Sequence, residues 1–290
     1  MQIVTDSGTD INLTPEEMKK LNIHVVPLVV TLDGQSYREG LDIEPGSFYE
    51  KLDASKNMPV TSQPSAGDFA DLYRELARTD PDILSVHMTS GLSGTYTSAV
   101  QGAAMVPEAN VTHFDTKTLS AAAGWQVKAA AQAIKSGWMV EKVLDLVHRI
   151  GEASESMYTL KELKYLISGG RISHMKGLIA SMLNIKPMIG VEKVNGTYTQ
   201  LGQTRTFNRA LEGLVNKIKA VHPPGTKLYV QVLHAFNPDG GAKLQELIDK
   251  TFDCTWLPMG PMSLVLGAHT GRSMVGVAFA PMHVMNEIPA

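Results

Sequence analysis

Cysteine is almost absent: Cys254 stands alone among 290 residues. A lone thiol excludes an internal disulfide and any multi-cysteine metal site, and such usage suits a reducing cytosol. Long apolar runs are missing too. Stretches such as Val25 to Leu32 fall far short of a membrane span. The chain starts directly with Gln2-Ile3-Val4-Thr5 and Asp6, with no charged region ahead of an apolar run, so no secretory leader is expected. Excess positive charge is lacking: the net charge is -3 with the 9 histidines taken as neutral, and no basic field predicts a nucleic-acid partner. Nor is there a phosphate-binding Gly-x-x-x-x-Gly-Lys-Ser/Thr loop or a Gly-x-Gly-x-x-Gly after the first strand. A kinase or dehydrogenase acting alone is therefore not expected. The histidines are scattered singly, without companions at metal-ligand spacing, and no metal is predicted.

What remains is a soluble globular composition, 43% apolar and 19% charged, long enough for two domains with cores of their own. Methionine is plentiful, at 15 residues. Most of these suit an ordinary core, although a flexible thioether also suits the wall of an irregular apolar cavity. The first half alternates strand and helix signals. Gln2–Thr5 and Val25–Leu32 read as strands, and Asp33-Gly34 as a turn. Thr14-Pro15-Glu16-Glu17 carries an N-cap, a first-turn proline and a capping-box glutamate, and Ser65 caps a helix running to about Arg78. Ile83–Met88 and Val111–Phe114 read as further strands, each followed by a helix. This βα alternation predicts a Rossmann-like parallel sheet, with ligands bound beyond the carboxyl ends of the strands. The second half differs. Ile185–Val191 and Thr197–Thr204 form a hairpin around Asn195-Gly196, and Lys227–Ala235 and Ser273–Ala280 add strands. That pattern predicts an α/β domain with a mixed or antiparallel sheet. The boundary is placed at residues 157 and 158, giving domains 1–157 and 158–290.

Few residues invite chemistry. Ser93 lies in Ser90-Gly91-Leu92-Ser93-Gly94-Thr95 ahead of a helix. Flanking glycines allow close backbone approach, and a helix N-terminus favours an anion. The same residues serve equally as a plain helix cap. Thr61 precedes Ser62-Gln63-Pro64 on a segment expected to be irregular; it is either a second anion donor or a hydroxyl tied to backbone. His269 lies in Gly267-Ala268-His269-Thr270-Gly271, expected to be a small-residue loop, and a lone loop histidine is more often structural than functional. Arg171 and Arg205 suit bidentate capture of an anion, although a solvated surface charge is the commoner role. A Ser93 nucleophile with a His269 base is the alternative, enzymatic reading, but Gly91-Leu92-Ser93-Gly94 is not a nucleophile elbow.

Jointly these motifs resemble the DegV family. The matching stretches are Thr5-Asp6-Ser7, Thr61-Ser62-Gln63-Pro64, Ser90 to Thr95, Asp115 to Ser120, Leu166 to Ser173, Lys186-Pro187, Arg205-Thr206 and Gly267 to Gly271. The resemblance implies a two-domain, cytoplasmic, non-catalytic protein that buries one long-chain, palmitate-like fatty acid of C14 to C18 between its domains. It implies that the carboxylate is held by the segments containing Thr61, Ser62, Ser90, Ser93 and Gly94, with His269 nearby. It implies no cofactor. Arg171 and Arg205 become candidates for docking a partner, the ATP-binding subunit of a bacterial fatty acid kinase. Three departures stand out: Arg272-Ser273-Met274 where small residues are expected, Thr116 in place of serine, and Ile167-Ser168 in place of a lysine pair. They weigh against the kinase partner more than against the lipid.

Overall fold

The computed structural model describes residues 1–180 and 185–289, apart from the side chains of 179 and 180. In the first half, strands Ile23–Val26, Gln2–Asp6, Asp82–His87 and Asn110–Asp115 lie side by side in that order, all parallel. Both faces are apolar, as a sheet covered on two sides requires. Val4 and Ile83 pack beneath helices Ala66–Ala77 and Thr95–Ala103, against Phe69, Tyr73 and Ala99. Ile3 and Leu84 belong to the core on the opposite face, with residues of helices Ser120–Lys135 and Val140–Ala153. The capping boxes Thr14/Glu17 and Ser65/Asp68 form as the sequence predicts.

The strand order reverses between Gln2–Asp6 and Asp82–His87, so the loops leaving these two strands diverge around a crevice. Asp6 ties the two loops together. Fully buried, it accepts hydrogen bonds from the backbone N–H of Gly8 and of Met88, each at 3.0 Å, and pairs with His87 Nδ1 at 2.9 Å.

The expected strand Val25–Leu32 is two strands. Pro27 interrupts it, and the backbone N–H of Leu28 donates to Ser7 Oγ instead of to a neighbouring strand. Ile23–Val26 joins the parallel sheet, while Val29–Leu32 pairs antiparallel with Gln35–Arg38 and Val60–Ser62 in a separate three-stranded sheet. Asp33 and Gly34 both take positive φ, 51° and 79°, the combination that closes a two-residue hairpin.

The second sheet is mixed. Its order is Tyr198–Thr204, Lys186–Val191, Glu155–Thr159, Val275–Pro281, Lys227–His234, Asp253–Trp256; the neighbours are antiparallel except the last pair. Helices Phe207–Val221 and Pro238–Asp249 cover one face. Alternation along Val275–Pro281 sorts its side chains by size. Val275, Val277 and Phe279 join the core beneath those helices, while Ala278 and Ala280 join the core shared with the first half, and Gly276 alternates onto their side. On this second side the sheet meets the alanine-rich start of helix Ser120–Lys135. Two surfaces of small residues cannot fill the gap between them. They leave an apolar chamber walled by Leu119, Tyr158, Tyr198, Met262 and Met274 among others.

The Asn195-Gly196 turn closes the two halves. Thr89 Oγ1 donates to Gly196 O at 3.0 Å, and a Cβ added at Gly91 would lie 2.2 Å from Asn195 O. Gly91 is therefore a seat for the hairpin. Gly196 has φ +67°, and its added Cβ would fall 1.9 Å from Thr89 Oγ1. Gly196→Ala combines backbone strain with a steric clash and is expected to cost about 2 kcal/mol or more. Urea unfolding checks this; an unchanged midpoint would show that the turn does not bear on Thr89.

Candidate ligand-binding site

The crevice collects residues from distant parts of the chain. Thr61 sits on Val60–Ser62, paired with Val30, so this segment is a strand and not the irregular stretch expected. His269 lies in helix Leu264–Thr270, not in a loop; Gly271 then ends the helix with φ +73°. The helix brings His269 Nε2 to 2.7 Å from Thr61 Oγ1, across 208 residues of sequence. Ser93 occupies the loop before helix Thr95–Ala103 and hydrogen-bonds Thr95 Oγ1 at 2.8 Å. Thr61, Ser62, Gln63, Ser93, Arg171 and His269, with Leu28, Met88, Leu92, Tyr198, Val265 and Leu266, wall a small cavity.

Two further predicted residues are placed differently. Ser90 is exposed and turned to Asp115: its Oγ donates to Oδ2 at 2.5 Å and its backbone N–H to Oδ1 at 3.2 Å. It does not line the cavity. Gly94 lies under the Gln63 amide, whose Nε2 would be 2.6 Å from an added Cβ. Its part is to let Gln63 lie flat against the Ser93 loop. Of the two arginines, Arg171 faces the cavity, with Nη1 donating to Gly169 O at 2.7 Å and Nε to Leu92 O at 3.4 Å. Arg205 is exposed on the far hairpin strand's end. Arg272 lies apart from the cavity wall, pairs with Asp53 and stacks its guanidinium 5.0 Å from the Phe236 ring.

The electrostatics select for an anion. Burial, with Arg171 adding to it, pushes the His269 imidazole down to about 4, so the ring is neutral at neutral pH. A neutral ring that donates from Nε2 to Thr61 Oγ leaves the threonine O–H free to donate onward. Arg171 is the cation that faces the cavity. Hydroxyls and one guanidinium make a donor set for a single carboxylate or phosphate; His269 hydrogen-bonds Thr61, and Ser93 hydrogen-bonds Thr95. Among the described residues no cluster of metal-ligating side chains occurs.

Several residues that sequence reasoning missed make this arrangement. Gly169 lies against the His269 ring, and a Cβ there would sit 2.1 Å from Nδ1. Tyr198 lines both the polar cavity and the apolar chamber. Glu39 and Asp10 anchor the histidine helix from the other half. Glu39 accepts from Ser7 Oγ at 2.6 Å, from Ser263 Oγ at 2.8 Å and from the backbone N–H of Leu264. Asp10 accepts from the Ser263 backbone N–H at 2.8 Å and from Ser120 Oγ at 2.6 Å. Spacing in the sequence signals none of this, because the partners lie 110 to 253 residues from Asp10.

Burial, opposed in part by these hydrogen bonds, raises both carboxyls to about 7. A raised carboxyl pKa means that the folded state holds its proton more tightly than the unfolded chain. The contribution is complete below about 4.5 and is lost as pH rises through about 7. His269, depressed to about 4, has the opposite slope over the same range, so the wild-type profile alone mixes the two. The Glu39→Gln variant separates them. Its stability relative to wild type should improve between pH 5 and pH 7.5 by about 1–2 kcal/mol, a figure reduced for the residue's partial exposure. Parallel stability profiles from urea titrations at the two pH values would contradict it.

The family model for DegV, described as an uncharacterised protein family, matches residues 1–282. A DegV domain-containing protein of Staphylococcus aureus strain N315 is 32% identical over 275 residues, covering 95% of this chain and 96% of that one. Among solved structures, a DegV family protein from Thermus thermophilus described for its fatty acid binding superposes with a TM-score of 0.87 at 29% identity, covering 97% of this chain and 99% of the other. DegV from Bacillus subtilis, described as a fatty acid binding protein, gives 0.86 at 28% identity, with coverage of 97% and 98%.

Proposed function

The chain belongs to the DegV family, and on that premise we propose that it binds one long-chain fatty acid, with the carboxylate at Thr61, Ser93 and Arg171 and the acyl chain in the apolar chamber. One observation carries this reading. A small cavity lined by anion donors and a chamber whose lining is almost wholly apolar share the wall formed by Tyr198. A ligand that fills both must be charged at one end and greasy along its length. Each methylene buried contributes about 0.8 kcal/mol, while the head needs its donors already in place, because an unpaired buried carboxylate is costly. The two solved relatives described as fatty acid binders support the same reading. The palmitate-like length of C14 to C18 remains part of the proposal, as does cytoplasmic residence; no helix among the described residues is long and apolar enough to cross a membrane.

The protein works by holding the acid, with no chemistry of its own. Its carboxylate lies at the crevice between the halves, where the ATP-binding subunit of a fatty acid kinase would meet it. Arg205, exposed at the hairpin's end, is the docking candidate, whereas Arg171 lines the cavity and is better suited to neutralise the head group. Mixing the loaded protein with such a subunit and ATP should yield acyl phosphate, more slowly with Arg205→Ala; no product would remove the kinase role and leave the carrier role standing.

Native mass spectrometry after gentle purification should reveal a bound C14 to C18 acid, or uptake of added hexadecanoate. Protein that neither retains nor accepts one contradicts the proposal. Thr61→Ala and Ser93→Ala should each weaken binding by about 1–3 kcal/mol, the range for leaving a buried charged group short of a donor. Unchanged affinity in both would place the head elsewhere. Ala278 faces the chamber from the sheet, and Ala278→Leu should move the preferred chain length shorter by two or more carbons in competition assays. An unchanged preference would show that the tail does not reach this strand.

A further inference from the structure

The apolar chamber shares part of its wall with another cavity. Ser156 and Val191 line the chamber, and the same two residues line this second cavity on the other side. That second cavity is more polar than the chamber. Its wall includes Gln126, Ser154, Thr116, His148 and Lys193, from the first sheet's last loop, helices Ser120–Lys135 and Val140–Ala153, and the hairpin.

Three polar groups on this wall are buried without a hydrogen-bond partner among the described residues: Gln126 Oε1, Ser154 Oγ and Ser156 Oγ. Gln126 is 0% exposed and Ser154 4%. The Gln126 amide is held firmly. Its Nε2 donates to the carbonyls of Ala122 at 3.3 Å and Thr116 at 3.4 Å, and its oxygen lies 3.0 Å from where a Cβ of Gly151 would stand. Glycine at 151 thus makes room for an amide whose acceptor is left open. A hydrocarbon end gains nothing from such a wall, since it would bury these groups unsatisfied. A hydroxyl satisfies it: the hydroxyl donates to the Gln126 oxygen and accepts from either serine.

We propose that the polar cavity beyond Ser156 is a subsite for a hydroxyl carried on the distal part of the acyl chain, so that the protein accepts hydroxy fatty acids as well as plain ones. This rests on the fatty-acid reading above. It assigns to Ser154 and Ser156 a specificity role, distinct from that of the head-group residues.

Calorimetry with hexadecanoate and with its 12-, 14- and 16-hydroxy derivatives tests it. At least one hydroxy acid should bind as tightly as hexadecanoate or tighter. In the Ser154→Ala variant that acid should weaken by about five-fold or more, while hexadecanoate stays within about two-fold, which also shows that the variant is folded. In an apolar dead end the hydroxyl is buried unpaired, and every derivative should bind about ten-fold or more weakly than the parent; that result overturns the proposal. So does a Ser154→Ala variant that weakens both ligands alike. If hexadecanoate itself fails to bind, it is the carrier reading that falls, and the subsite with it.

Discussion

An anionic head group can be buried only where its donors already stand in position, and the candidate site is organised by one contact, between Thr61 and His269. The two side chains come from opposite ends of the chain and meet at 2.7 Å. Neither is fixed locally. Thr61 is set by a three-residue strand on the small antiparallel sheet. His269 is set by a seven-residue helix whose first turn is held by Glu39 and Asp10 and whose last turn is backed by Gly169. Depressed by burial, the imidazole stays neutral. It hydrogen-bonds Thr61, and Arg171 is the cation in the same cavity wall.

The chamber follows from a different constraint, the pleat of a strand. Residues alternate between faces, so one strand can present Val275, Val277 and Phe279 to a tight core and Gly276, Ala278 and Ala280 to an open one. The alanines that begin helix Ser120–Lys135 complete the second surface. Empty volume in a protein interior forfeits packing contacts, so a structure keeps it where a ligand restores them. Tyr198 is a wall shared by the polar and apolar cavities.

Much of the fold was legible in the sequence because it is written locally. Capping boxes, the Asp33-Gly34 and Asn195-Gly196 turns and period-two apolar runs each act within a few residues, and they marked the parallel sheet and the hairpin. Where local signals were silent or misleading, the cause is tertiary. Pro27 divides a run that looks continuous by hydropathy. Gly267 and Gly271 read as loop residues, yet Gly267 lies in a helix against the Tyr49 ring and Gly271 ends that helix beneath the Tyr165 ring. Thr61, Ser93 and His269 were singled out from motifs and lie around one cavity. Ser90 belongs to the same motif as Ser93 but turns to Asp115, because its side chain leaves the loop on the other side. Glu39, Tyr198 and Gly169 could not be found this way, since their roles exist only in contacts made across the fold.

The account is tested most directly by a crystal structure of the protein with hexadecanoate. The carboxylate should lie within hydrogen-bond distance of Thr61 and Ser93 and close to Arg171, with the methylenes running past Tyr198 into the space beneath Ala278. Density for the chain in any other place, or a carboxylate exposed to solvent away from Thr61, would contradict it.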